Sequence, residues 1–558
     1  MASIYDVLSH CSDLSESLST VNDKEKRKSL INQHIKKLSG QSSFKVPEFS
    51  KEFEWLNVSE PLSLSNQLSG KIVVLDFFTY CCINCMHVLP DLHALEEKFS
   101  VKDGVVVLGV HSAKFENEKL TANILSAILR YDITHPVVND SEATLWKKLE
   151  VVCWPTFVIL GPSGQYLFNL VGEGHREELF EFVETAVEYF KSEGELKSYE
   201  VPISLEKLKL PATPLRYPGK IELSDDELII SDSGNHRILI TDLNGIVQNV
   251  IGNGEKGFKD GDYETAMFSS PQGCCRLDDY IYIADTENHA IRKVDLKSKH
   301  VTTIAGTGQM GNDKEGGVTG VNQILSSPWD VCIGRSPGST RNDVLYIAMA
   351  GTHQIWVYFL QDVTWYKAMK YSSGTCIRFA GSGAEENRNN SYPQKAGFAQ
   401  PSGLTLSNDS LYIADSESSS IRYISLKDGA VKGLVGGERD PTNLFAYGDV
   451  DGKGVEAKLQ HPLGLIASQS TDQLYMADSY NHKIKCVDLK TKMCTTILGR
   501  TEVSDKGDTT LNEPSGLALD TNKQKLYIAD TNNNTIKVLD LKTMVVSQVS
   551  IDGIKQKA

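Results

Sequence analysis

The sequence predicts two folds in series, an α/β domain followed by an all-β propeller of six blades. Three observations carry that prediction. A continuous apolar run, Lys71 to Phe78, leads directly into Cys81-Cys82-Ile83-Asn84-Cys85 and then into a helical pattern, so a Cys-x-x-Cys sits at a strand-to-helix turn. From about residue 218 onward one strand-turn-strand pattern recurs six times. The chain also has 558 residues, too many for a single hydrophobic core.

Residues 1–42 place Ile4, Val7 and Leu8, then Leu30, Ile31, Ile35 and Leu38, at helical spacing. This predicts two short helices packed on the next domain. The α/β domain is expected over 43–200. Its dithiol strand is followed by a parallel strand at Val105 to Val110, a hairpin of Phe157 to Leu160 with Tyr166 to Val171 across Gly161-Pro162-Ser163-Gly164, and a closing helix. That helix puts Leu179, Phe182, Val183, Ala186 and Phe190 on one face. Residues 201–217 read as a linker. Its alternation of Ile203, Leu205, Leu208 and Leu210 with polar residues predicts that it packs rather than dangles. The propeller is expected over 218–558.

The chemistry expected of the dithiol follows from its position. Cys82 would open a helix, where free N–H groups and the helix dipole favour a thiolate. Cys85, one turn further in, would be the shielded resolving thiol. Asp76 lies six residues before Cys82 in an otherwise apolar strand; a carboxyl buried there should have a raised pKa suited to moving thiol protons. Pro90 falls within the helix marked by Leu89, Leu92, Leu95 and Phe99 and should kink it. Trp154-Pro155-Thr156 precedes the strand at Phe157, where a cis-proline would lie against the dithiol. Cys153 is its neighbour.

Residues Asp76 to Pro90, with Pro155 further on, resemble the thioredoxin superfamily. Its helix-opening dithiol, buried acid, helix-kinking proline and cis-proline fall at matching positions, and the resemblance implies catalytic roles for Cys82, Cys85, Asp76 and Pro155. Cys81 stands where thioredoxin has tryptophan, and Ile83-Asn84 where it has Gly-Pro, which leaves substrate preference and redox potential open and adds Cys81 to the candidate site. No Pro-x-x-x-Thr/Ser-x-x-Cys signature surrounds Cys82, which argues against a peroxiredoxin despite the inserted segment Glu116 to Asp140. A fold whose cysteines only pack remains the alternative. Cys81, Cys82, Cys85 and His87 lack a second pair at metal-ligand spacing. No metal and no cofactor are expected.

The repeats read Leu228-Ile-Ile-Ser-Asp232, Ile281-Tyr-Ile-Ala-Asp285, Leu345-Tyr-Ile-Ala-Met349, Leu411-Tyr-Ile-Ala-Asp415, Leu474-Tyr-Met-Ala-Asp478 and Leu526-Tyr-Ile-Ala-Asp530, each followed by a polar turn and a second strand. Several copies are preceded by Pro-x-Gly, as at Pro271 and Gly273, Pro401 and Gly403, Pro462 and Gly464, and Pro514 and Gly516. One such unit leaves its apolar face bare, so six stack radially. The copies resemble NHL repeats, with Asn-His intact at Asn235-His236, Asn288-His289 and Asn481-His482. The recurrent Asp and Asn-His are read as structural: the Asp accepts turn N–H groups and Asn tolerates the turn conformation. The loops Asp260-Gly-Asp262 and Asp449-Val-Asp451-Gly452 lack the ligand spacing of an EF-hand and read as solvated.

A formal charge of −15 disfavours nonspecific nucleic-acid or anionic-membrane binding. The region from 213 onward also has more acidic than basic residues, against an RNA-binding propeller. Eleven cysteines without paired spacings suit a reducing compartment. The N-terminus has no basic stretch before an apolar run, so no signal peptide is expected, and no apolar run approaches the roughly 20 residues of a membrane span. The expectation is a cytosolic monomer. The order of a thioredoxin-like domain and then an NHL propeller is similar, over essentially the whole chain, to a family that joins the two. Members of that family continue into a further β-rich domain, whereas this sequence ends at Ala558. Two function classes follow: a thiol–disulfide oxidoreductase acting on protein partners held by the propeller and an interdomain cleft, or a non-catalytic scaffold or redox sensor.

Overall fold

The computed structural model describes residues 3–40, 43–209, 213–499 and 509–554, and the chain divides into two units, Met1–Pro211 and Ala212–Ala558. In the first, helices α1 (Ile4–Thr20) and α2 (Lys24–Leu38) precede a six-stranded sheet. Ser3 starts α1 with a reciprocal cap: its hydroxyl accepts the Asp6 N–H, and the Asp6 carboxylate accepts the Ser3 N–H. The strands are β1 (Glu54–Leu56), β2 (Ile72–Phe78), β3 (Val105–His111), β4 (Val137–Asn139), β5 (Thr156–Leu160) and β6 (Tyr166–Val171), in spatial order β1-β4-β3-β2-β5-β6. β2, β3 and β4 are parallel; β5 runs antiparallel to β2 and β6 antiparallel to β5, forming the hairpin read from the sequence.

Between these strands lie helices α3 (Ile83–His87), α4 (Leu89–Lys98), α5 (Thr121–Arg130) and α6 (Thr144–Lys148), and α7 (Arg176–Ser192) closes the unit. β2 and β3 are buried along their whole length, as continuous apolar runs covered on both faces should be. The five apolar residues expected on one face of α7 are all buried. α2 lies against α7, held by the Arg27 guanidinium on the Glu181 carboxylate at 2.7 to 3.1 Å.

Two sequence expectations change here. The single kinked helix is two helices, α3 and α4, that meet at Val88, and Pro90 sits in the first turn of α4. A first-turn proline gives up no intrahelical bond, so the break precedes it. The apolar residues of the linker do not all pack. Ile203 and Leu208 are exposed, whereas Val201, Leu215 and Tyr217 are buried, and Ile203 pairs as a bridge with Val58. Leu210 lies outside the described residues.

The second unit is a six-bladed propeller of four-stranded antiparallel blades, three of which carry a fifth edge strand; in the third, a hairpin of Val363–Thr364 with Lys370–Tyr371 comes before the fourth strand. The inner strands are Pro218–Ser224, Pro271–Leu277, Pro328–Gly334, Pro401–Ser407, Gly464–Ala467 and Gly516–Asp520, and each touches the next around a closed ring. The Pro-x-Gly motif has a steric cause: a Cβ on Gly464 would lie 2.0 Å from the Ser515 carbonyl, and one on Gly516 2.2 Å from the Gly219 carbonyl. In the first and third blades Lys220 and Asp330 occupy that position, and the Lys220 ammonium lies 2.5 Å from the Asp330 carboxylate. The ends of the chain close the ring. Ile221 and Leu228 share a core with Tyr527 and Ile536, and Thr531 Oγ1 donates to the Pro218 carbonyl at 2.9 Å.

The recurrent Asp is structural, as read. Asp285 Oδ1 accepts the Ser269 N–H at 2.8 Å, while Oδ2 accepts from Asn288 at 2.8 Å and from Arg292 at 2.6 Å. Asp232, Asp415, Asp478 and Asp530 likewise hold Arg237, Arg422, Lys485 and Lys537. The left-handed turn residue, however, is the histidine rather than the asparagine: His236, His289, His353 and His482 have φ of 48° to 55°. Each also accepts, on Nδ1, a backbone N–H at the entry to the next blade, from Ser270, Ser327, Gln400 and Glu513 respectively. The two Asp-rich loops are tied by cations and hydroxyls: Asp260 by Arg292 and Thr303, Asp449 by Lys483 and Lys485, Asp451 by Thr496.

Candidate active site around the dithiol

The residues singled out in the sequence come together at the C-terminal end of β2. Its parallel partner β3 and antiparallel partner β5 hold it in the middle of the sheet, so the turn after Phe78 leaves a rigid base. Cys82 is the N-cap of α3, with φ −81° and ψ 117°. Its carbonyl accepts the N–H of Cys85 at 3.1 Å and of Met86 at 3.3 Å. Since α3 has only five residues, the dipole behind Cys82 is that of a short helix, not of the longer one expected.

Cys82 is partly exposed, whereas Cys85 is fully buried one turn below it. Burial pushes the Cys85 thiol well above the ordinary range, and its hydrogen-bond contact with the Cys82 sulfur and the charges of Cys82 and Asp76 push the same way. Asp76, in mid-β2, is 1% exposed. Burial raises its carboxyl to about 7, with His135 pulling it partly back down. Beneath a surface thiol there is thus a protonated thiol and a carboxyl that titrates near neutrality.

Pro155 lies beside this turn because β5 is in register with β2. Thr156 pairs with Phe77, so Pro155 reaches the level of Phe78. It is buried, and the Trp154–Pro155 peptide is cis. Cys153 is half-buried and close enough to Cys82 for that sulfur's charge to add to the burial that raises its own pKa. Asp140 accepts the N–H groups of Thr144, Leu145 and Trp146 at 2.6 to 3.1 Å. It thereby sets α6 so that Trp146 packs 4.6 Å from Trp154 and 6.2 Å from Phe77. His87 pairs with Glu173 at 2.7 Å, and among the described residues no group of three His, Cys, Asp or Glu is arranged to hold a metal.

Cys81 faces inward, and the residue that fixes it was not found in the sequence. Glu118, from the segment after β3, is fully buried. Its Oε1 accepts the Cys81 N–H at 2.9 Å and the Thr79 hydroxyl at 2.8 Å, while Oε2 accepts the N–H groups of Lys114 and Phe115 at 3.1 and 3.0 Å. The neighbouring Asn117 donates to the Tyr80 hydroxyl at 3.0 Å, and Tyr80 stacks on His111 at 5.4 Å. The inserted segment therefore braces the loop that carries the dithiol. The only signal for this in the sequence was an acidic residue inside an insertion of apolar periodicity.

Comparisons with known proteins agree with this architecture. A thioredoxin-like family model matches residues 70–166 and an NHL repeat model matches residues 511–539. The NHL repeat-containing protein 2 of Homo sapiens is 55% identical over 547 residues, 96% of this chain and 75% of that protein. Protein SUPPRESSOR OF QUENCHING 1, chloroplastic, of Arabidopsis thaliana is 45% identical over 90% of this chain and 47% of its own length. The thiol-disulfide oxidoreductase YkuV of Bacillus subtilis is 24% identical over 120 residues, 22% of this chain and 78% of that protein.

Proposed function

The chain belongs to the NHL repeat-containing protein 2 family, and from that premise we propose that its dithiol exchanges disulfides with protein partners recruited by the propeller. The observation that carries this reading is the vertical order of three groups: partly exposed Cys82, buried Cys85 against it, and buried Asp76 below. In the exchange, Cys82 as thiolate attacks a substrate disulfide and releases one substrate thiolate. Cys85 then loses its proton to Asp76 and attacks Cys82 Sγ; the second substrate thiolate leaves and the Cys82–Cys85 disulfide forms. Pro155 supplies an edge beside the sulfurs, and Cys81 holds the loop through its N–H.

Residues 43–200 act as the exchange domain and 218–558 as the binding domain. Eleven cysteines without paired spacings support work in the cytosol, where thiols stay reduced; among the described residues no helix is long and apolar enough to cross a membrane. The protein acts as a monomer on protein partners. The test is trapping: Cys85→Ser should accumulate partners disulfide-linked to Cys82, and Cys82→Ser/Cys85→Ser should hold none. Equal recovery by both variants would overturn the exchange reading and favour a propeller that binds without exchange.

A further inference from the structure

We infer that His135 and Glu96 complete a proton path between Asp76 and solvent, acting through Asp76 as positioning residues for the Cys85 step. This rests on the exchange reading above. Two buried side chains, Asp76 and His135, and one buried carboxylate oxygen of the partly exposed Glu96 stand in a row without the hydrogen bonds burial normally demands. Neither carboxylate oxygen of Asp76, neither ring nitrogen of His135 and not the Oε2 atom of Glu96 has a hydrogen-bond partner among the described residues. Such groups cost free energy unless something uses them.

Their placement is built by the fold. Asp76 is in register with Gly109 on β3, and a Cβ at Gly109 would come within 2.9 Å of the Phe78 ring and 3.4 Å of His135 Nε2. The missing side chain makes room for the imidazole beside the carboxyl, near enough for its charge to act on Asp76. The Asn57 side-chain amide donates to the Ile133 and His135 carbonyls at 2.9 and 3.0 Å, which fixes the backbone there. On its other side His135 Nδ1 lies 3.5 Å from Glu96 Oε2. His135 is 2% exposed and the Glu96 side chain 29%, so the row runs from the buried centre to the surface on α4.

Other titratable groups nearby have different roles. Cys85 is the proton source. His111, packed between Phe78 and Tyr80, is lowered by burial to about 3 and stays neutral. His93, which is partly exposed, has its Nδ1 3.9 Å from the same Glu96 Oε2. In the step itself the Cys85 thiol gives its proton to the Asp76 carboxylate, the thiolate attacks Cys82 Sγ, and the leaving thiolate departs with the electron pair of the mixed disulfide. Asp76 then passes the proton to His135, which releases a proton through Glu96 to water.

The experiment mixes the full chain with 5,5′-dithiobis(2-nitrobenzoate) in a stopped-flow instrument. The first phase forms the Cys82 mixed disulfide and releases one thionitrobenzoate; the second, absent in Cys85→Ser, releases another as Cys85 attacks. Glu96→Gln and His135→Gln should leave the first phase unchanged and slow the second about tenfold at neutral pH. His135→Gln should also move the inflection of the second phase to higher pH, because the imidazole no longer lowers the Asp76 pKa. Glu96 is at the surface, so its variant carries the test if His135→Gln does not fold. Parent rates and pH profiles in both variants would overturn the relay alone; release of a single equivalent by the parent would overturn the exchange reading and the relay with it.

Discussion

Glu118 Oε1 accepts the backbone N–H of Cys81 at 2.9 Å, so a buried carboxylate from a segment 37 residues downstream sets the loop that leads into Cys82. Because each oxygen of Glu118 already serves two donors, an amide is a poor substitute: its NH2 would face two of them. Glu118→Gln should cost about 2 kcal/mol and Glu118→Ala about 3 kcal/mol in urea unfolding of the first unit. Unchanged midpoints would assign the loop's geometry to other contacts.

Asp76 links the site to stability. Its carboxyl titrates near 4 in an unfolded chain and at about 7 in the folded one. The raised pKa means that the contribution to stability is full below pH 4 and is lost as pH rises through 7. Asp76→Asn should therefore gain about 3 kcal/mol of stability over the parent as the pH goes from 5 to 8, while dithiol exchange slows. A constant difference across that range would show that the carboxyl is already ionised throughout it.

The blades predict a contrast between charge pairs and their apolar counterpart. Asp285 and Arg292 are both fully buried at 2.6 Å; the equivalent positions of the third blade hold Met349 and Trp356, also fully buried. Arg292→Met leaves an unpaired carboxylate and should cost about 3–5 kcal/mol. Met349→Asp, which introduces a charge with no cation at position 356, should cost a similar amount. Thermal unfolding of the propeller checks both, and near-neutral values would mean that water reaches these sites.

What was legible in the sequence was what is local. The Cys82 and Cys85 spacing, the acid in β2 and Pro155 before β5 are all readable because strand period and turn chemistry are short-range properties. The blade count came from repetition of one unit. Glu118 and the His135–Glu96 pair were not legible, since their meaning lies in contacts made across the sheet by residues far apart in the chain. The helix kink was misplaced for a related reason: a proline pattern does not distinguish a kink at Pro90 from a fresh helix start at Leu89. The asparagine of Asn-His was assigned the turn conformation that the histidine adopts, because the histidine's partner is an N–H of the next blade.

Accessibility orders the thiols. Cys82 is partly exposed, and Cys81 and Cys85 are buried. Iodoacetamide on the native reduced chain should label Cys82 ahead of both, with Cys85 protected until unfolding. Mass spectrometry of timed samples checks the order, and labelling of Cys85 before Cys82 would reverse the assignment of attacking and resolving thiols.

The central claim is turnover by the dithiol, and insulin reduction coupled to NADPH and thioredoxin reductase tests it most directly. The full chain should accelerate insulin reduction, and Cys82→Ser should abolish the acceleration. A Cys82–Cys85 disulfide that forms and reverses while insulin stays intact would contradict exchange catalysis and leave a redox sensor on a binding propeller.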